Sequence, residues 1–115
     1  WGVVTNKPDF LTKPLMQELS LEHRCACIVS GDTLPTSKPD PAPMFYAAEL
    51  AGSKAAECVY VGDAERDIKA GKGAGMQTLI ARYGYIEEND DPNLWQADGS
   101  IDHPAGLIEW IEQRV

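Results

Sequence analysis

Apolar and polar positions change their period several times along this chain, and each change marks an element. Residues 2–6, Gly2-Val3-Val4-Thr5-Asn6, form a short β-branched run stopped by Lys7-Pro8, which predicts a strand opening into a loop. Over residues 9–21 the spacing turns helical, with Leu11, Leu15 and Leu19 in line and Phe10 and Met16 widening the stripe. Residues 26–29 read as a second strand, and residues 30–41 are loop chemistry dense in Gly and Pro. Pro41 or Pro43 suits the first turn of a helix through Met44, Tyr46, Ala47, Ala48 and Leu50, with Gly52 placed to end it. Residues 58–61 are a third strand running into Gly62-Asp63, residues 68–74 a short helix closed by Gly75, and residues 77–81 a fourth strand. Residues 82–99 are polar and loop-like, and a last amphipathic helix after Pro104 uses Leu107, Ile108 and Ile111.

Strands and helices alternating at short intervals predict βαβ units. The expected fold is therefore α/β, a three-layer Rossmann-like parallel sheet with helices on both faces. With 115 residues the chain makes one small domain, residues 1–115. In such sheets ligands bind at the carboxyl ends of the strands, which directs attention to the loops after the first three.

Composition narrows the partners. A formal charge of −8 argues against nucleic acid, whose phosphates call for excess Lys and Arg. No apolar run approaches the ~20 residues that span a bilayer, and the first residues lack the features of a secretory signal, so the expectation is a cytoplasmic protein without a membrane partner. Three cysteines include Cys25 and Cys27, which alternation puts on one strand face; buried packing in a reducing compartment is their expected use.

The three strand ends offer Thr5-Asn6, then Lys38, then Gly62-Asp63 with Asp67. A hydroxyl, neighbouring backbone N–H groups, a lysine and two carboxylates suit a phosphate ester and a divalent cation. Thr5 can donate to a phosphate oxygen or satisfy its own loop; Asn6 can offer its backbone N–H to phosphate or cap that loop. Lys38 supplies a compact cation. Asp63 can ligate a metal or cap the helix that follows, and Asp67, four residues on, can ligate or anchor. Other polar positions carry ordinary expectations. Asp32 shapes a turn, Lys7 faces solvent, His23 and His103 lack ligand partners, Trp95 packs a long loop, and residues 87–91 are a solvated acidic loop.

In this order and spacing, Gly2-Val3-Val4-Thr5, Lys38 and Gly62-Asp63-Ala64-Glu65-Arg66-Asp67 resemble the second, third and fourth motifs of the haloacid dehalogenase superfamily of hydrolases. Val4-Thr5-Asn6-Lys7-Pro8, Gly31-Asp32-Thr33-Leu34-Pro35, Lys38-Pro39-Asp40-Pro41-Ala42-Pro43 and Tyr83-Gly84-Tyr85 look like its phosphoglycolate phosphatase branch. The resemblance implies a Mg²⁺-dependent phosphomonoesterase acting through an aspartyl-phosphate on a small phosphorylated metabolite. Thr5 and Lys38 would be catalytic, Thr5, Asn6 and Lys38 phosphate-binding, and Asp63 and Asp67 metal-binding. Phosphoglycolate is the leading substrate and N-acetylmuramic acid 6-phosphate its competitor.

The family's first motif, a strand ending in Asp-x-Asp that carries the nucleophile and the general acid and base, has no match: no Asp-x-Asp occurs in the chain. The helical cap of this branch is lacking too. Two expectations follow from the resemblance: the chain alone is inactive, and its sheet has a gap where the family's central first strand belongs. The partner filling that gap would be the missing amino-terminal segment or another copy of the chain. The alternative is a non-catalytic phosphate- and metal-binding or regulatory domain.

Overall fold

The computed structural model describes residues 1–113 apart from Glu22 and Tyr85, so the last residue of the Tyr83-Gly84-Tyr85 match lies outside the described residues. Along these residues run β1 (Val3–Val4), α1 (Asp9–Glu18), β2 (Ile28–Val29), α2 (Ala42–Leu50), β3 (Val59–Gly62), α3 (Glu65–Gly73), β4 (Gln77–Ala81), β5 (Gly99–Ile101) and α4 (Gly106–Glu112). Short 3-10 turns occupy Ala55–Glu57 and Pro92–Leu94. The elements expected from periodicity are present; β1, α1 and β2 are shorter than their sequence runs, α3 begins earlier, at Glu65, and β4 matches, because pairing and caps outweigh local preference at the ends.

Every strand pairing is parallel, yet the pairings form two sheets. In one, Val3 lies opposite Ile28; in the other, the order is β3-β4-β5, with Val59 opposite Gln77 and Leu79 opposite Gly99. The N–H groups of Val3 and Thr5 donate to the carbonyls of Cys27 and Val29 (3.0 Å each), so strand alternation turns the Val4 peptide groups toward the opposite edge. Gln77 N–H donates to Cys58 C=O (3.1 Å), which by the same rule turns the peptide groups of Val59 and Val61 away from β4. Among the described residues no ladder joins β1 to β3. Between them lies a groove of about 300 Å³, lined by apolar side chains that include Val4, Cys27, Met44, Ala48, Val59 and Met76. This is where the resemblance places the absent central strand.

Helices cover both faces of the three-stranded sheet. Thr78 meets α3 at Gly71 and Ile80 packs with Ile68, whereas Leu79, one residue between, lies with Trp110 of α4 around Gly99. Met44 and Ala48 of α2 join Ala70 of α3, Ala74 just after it and Met76 in one buried cluster. That cluster packs the two sheets together, and the Tyr60 hydroxyl adds a hydrogen bond from β3 to Val4 C=O of β1 (2.8 Å).

Two elements depart from the sequence pattern. The loop expected over residues 82–99 ends in a strand, Gly99–Ile101, that periodicity does not predict: Asp98 Oδ2 accepts from Thr78 N–H (2.7 Å) and Asp98 N–H donates to Thr78 C=O (3.0 Å), a clamp that sets the register of a three-residue segment too short to announce itself. In α1 the apolar stripe faces outward. Phe10, Leu11, Leu15 and Leu19 are exposed, Phe10 at 72%, whereas Thr12 and Met16, four apart, are the buried positions. Its first turn is held from a distance instead, with Asp9 N–H donating to Asp32 Oδ1 (2.9 Å) and Ser30 Oγ donating to Asp9 Oδ1 (2.9 Å).

Candidate active site

β1 and β3 end at the same side of the molecule, and the loop after β2 returns Lys38 to that side. Asn6 makes this return specific: its Nδ2 donates to Lys38 C=O and its Oδ1 accepts from Lys38 N–H, both at 3.0 Å across 32 residues. The side chain thus mimics a peptide partner and pins the loop to the end of β1. Thr5, Asn6, Lys38, Asp63 and Asp67 all line one cleft of about 390 Å³, together with Tyr60, Arg66 and Gly84. The five candidate residues are brought together.

Lys38 is 7% and Asp67 5% exposed, and the two form a buried ion pair through Nζ and Oδ1. The ammonium also donates to Tyr60 Oη (2.8 Å) and to Val4 C=O (3.1 Å). Asp67 is the third residue of α3, where a carboxylate is favoured by the helix dipole. Its Oδ2 accepts from Ala64 N–H (3.1 Å) and Asp63 N–H (3.2 Å). The two acids are therefore neighbours because Asp67 reaches back to the loop before α3, which differs from the shared helical turn that their spacing suggests. Gly62 permits this, since a Cβ there would collide with the Asp67 side chain. Gly84 does the same for Asp63, whose Oδ2 would lie 2.6 Å from a Cβ at that position.

Thr5 Oγ1 accepts from Lys7 N–H (3.1 Å), the turn-forming use of a strand-end hydroxyl, and its own proton remains a donor toward the cleft. Lys7 is exposed, as are His23 and His103, and Trp95 is buried with Ile68 and Ile80. Asp32 serves as the remote cap of α1.

Tyr60 escapes sequence reasoning because a tyrosine in a β-branched run signals only a strand. Its hydroxyl donates to Val4 C=O (2.8 Å) across the gap between the sheets, and the Lys38 ammonium lies 5.3 Å from the ring centroid. Burial first, then the negative charge of Asp67, raises its pKa and keeps the phenol neutral. Arg66 is a second residue missed, a cation in the wall of the cleft.

Among the described residues no three His, Cys, Asp or Glu side chains gather as a ready metal cage. Mg²⁺ asks for less: one or two carboxylates, with waters and substrate oxygens completing the shell. Asp63 and Asp67 fit that demand. Asp67 already serves Lys38 and two amides, and Asp63 lines the same cleft.

Residues 1–81 match the haloacid dehalogenase-like hydrolase family. The chain is 47% identical over 109 residues to a phosphoglycolate phosphatase of Xanthomonas campestris, covering 95% of the chain and 49% of that protein. It is 45% identical over 115 residues to an N-acetylmuramic acid 6-phosphate phosphatase of Pseudomonas putida, covering all of the chain and 52% of that protein. The crystal structure of a predicted phosphoglycolate phosphatase from Haemophilus somnus superposes with a TM-score of 0.87 at 30% identity, over 96% of this chain and 48% of the other. The chain spans about half the length of the curated relatives it matches.

Proposed function

We propose that this chain, which belongs to the haloacid dehalogenase-like hydrolase family, is the phosphate- and metal-holding half of a Mg²⁺-dependent phosphomonoesterase. The observation that carries the reading is the convergence of Thr5, Lys38, Asp63 and Asp67 on one cleft at the strand ends. Phosphoryl transfer is mostly positioning and neutralisation of charge on the equatorial oxygens, and these groups supply both. The Thr5 hydroxyl and the Lys38 ammonium hold the phosphate, and Asn6 fixes Lys38 by its backbone. Asp63, with Asp67 behind it, holds Mg²⁺, which when bound offsets charge on the phosphate. The attacking carboxylate comes from an Asp-x-Asp segment outside these 115 residues. That segment, or a second copy of the chain, contributes a strand to the groove between β1 and β3, toward which the peptide groups of Val59 and Val61 turn.

The substrate is a small phosphorylated acid or sugar. Phosphoglycolate leads, and N-acetylmuramic acid 6-phosphate competes, because relatives bearing both names match at similar identity. Cys25, Cys27 and Cys58 are not disulfide-bonded, which suits a cytoplasmic setting. A second reading, a binding or regulatory domain without turnover, is favoured by the lack of Asp-x-Asp; an Asp-x-Asp codon pair upstream of Trp1 in the source gene decides against it.

Metal binding tests the site directly. MgCl₂ should shift the amide resonances of Gly62, Asp63 and Gly84, and Asp63→Asn should abolish the response while the fold persists. An unchanged Mg²⁺ response in Asp63→Asn would remove Asp63 from the metal site.

A further inference from the structure

The apolar stripe of α1 occupies one flank of the helix. Successive residues turn by about 100°, so the buried Thr12 and Met16 mark the side pressed on the sheet, and Leu11, Leu15 and Leu19 lie about 80° round from it. Lys13 and Gln17 take the opposite flank, about 100° round the other way. The leucines are 47%, 41% and 54% exposed, and their spacing of four is that of a helix-packing ridge.

Chain handedness says where that flank points. Across the molecule the order is β2, β1, the groove, β3, β4, β5. The helix α2 packs on Val4, Cys27 and Val29 through Ala47 as the chain steps back from β2 toward β3, whereas α1 belongs to the opposite step, from β1 out to β2. Right-handed crossovers therefore put α1 on the face opposite α2. Running antiparallel to the strands on that face, a right-handed helix turns Leu11, Leu15 and Leu19 toward the groove and Lys13 and Gln17 toward the outer edge at β2. A strand in the groove whose chain continues into β1 makes the same step as α1, so its crossover lies on the same face, against the leucine flank.

We propose that Leu11, Leu15 and Leu19 form the docking face for a helix of this protein's own amino-terminal segment, the amphipathic crossover that joins the groove strand to β1. The proposal rests on the reading that this segment fills the groove. An Asp-x-Asp strand that precedes the strand ending at Thr5 requires such a connection, and curated relatives about twice as long as their match to this chain have the length to supply it. The occupant's chemistry follows from the face: large aliphatic side chains at helical spacing toward α1 and the sheet, polar ones outward.

The test mixes the whole chain with the segment its gene encodes from the Asp-x-Asp strand up to Trp1 and follows both by NMR. Slowed exchange of the Val59 and Val61 amides reports a strand in the groove; shielding of the Leu11, Leu15 and Leu19 methyls from a soluble paramagnetic probe reports the helix on α1. Both are expected. Leu11→Asp, an acid in a first helical turn, should keep the amide spectrum of the chain alone and weaken association about tenfold or more, because it sets a charge against an apolar ridge. Leu15→Ser makes the same comparison if Leu11→Asp disturbs α1. Gln17→Asp, on the other flank, should associate like the unaltered chain, and equal weakening there would overturn the proposal. If Val59 and Val61 become protected while the leucine methyls stay accessible, or if Leu11→Asp associates undiminished, the α1 proposal fails alone. Self-association of the chain that Leu11→Asp abolishes and the segment does not displace would give the face to a second copy and overturn it too. If the unaltered pair does not associate, or Val59 and Val61 stay unprotected, the groove reading fails and the proposal with it.

Discussion

At the residue scale the site is organised around one buried pair. Removing Lys38 leaves Asp67 with two amide donors but no counter-charge, so Lys38→Met should destabilise the chain by about 3 kcal/mol in urea unfolding, the usual size for breaking such a pair from one side. A loss below about 1 kcal/mol would mean that the pair is solvated. Tyr60 sets an alkaline limit. Folding raises its pKa, so its contribution is fully present below about pH 10, the ordinary tyrosine value, and is lost as the pH climbs from there toward the folded value. Tyr60→Phe should therefore lose less stability than the unaltered chain between neutral pH and pH 11, measured by denaturant midpoints; parallel profiles would contradict this. Thr5, Asn6, Lys38, Asp63 and Asp67 were legible because each follows a strand and strand ends converge in a parallel sheet. The use made of the Asn6 side chain and the Tyr60 hydroxyl was not, since both reach partners 32 and 56 positions away that no local pattern encodes.

At the scale of elements, agreement follows how much each segment decides for itself. Gln77–Ala81 is a five-residue apolar strand with four buried positions, and periodicity finds it whole. Gly99–Ile101 depends on the Asp98–Thr78 clamp, a tertiary fact. The helix α1 shows a further limit: periodicity reports an apolar stripe and says nothing of what covers it, and here Thr12 and Met16 face inward while the leucines face out. Because α1 has little apolar anchoring, its remote cap carries weight. Asp32→Ala should cost about 1 kcal/mol and speed hydrogen exchange at Asp9 N–H and in the first turn of α1. Unchanged exchange there would show that the cap is dispensable.

At the scale of the whole molecule, one apolar cluster joins two parallel sheets that share no ladder among the described residues. The gap was legible from the resemblance, which implies a central strand between the one ending at Thr5 and the one ending at Asp63. The proposed reading, half an active site in a half-filled sheet, accounts for the cleft and the groove together. The most direct measurement is hydrolysis of p-nitrophenyl phosphate with Mg²⁺, by the chain alone and mixed with a segment carrying the Asp-x-Asp strand. No turnover alone and turnover on mixing is the predicted result; turnover by the chain alone would contradict the account.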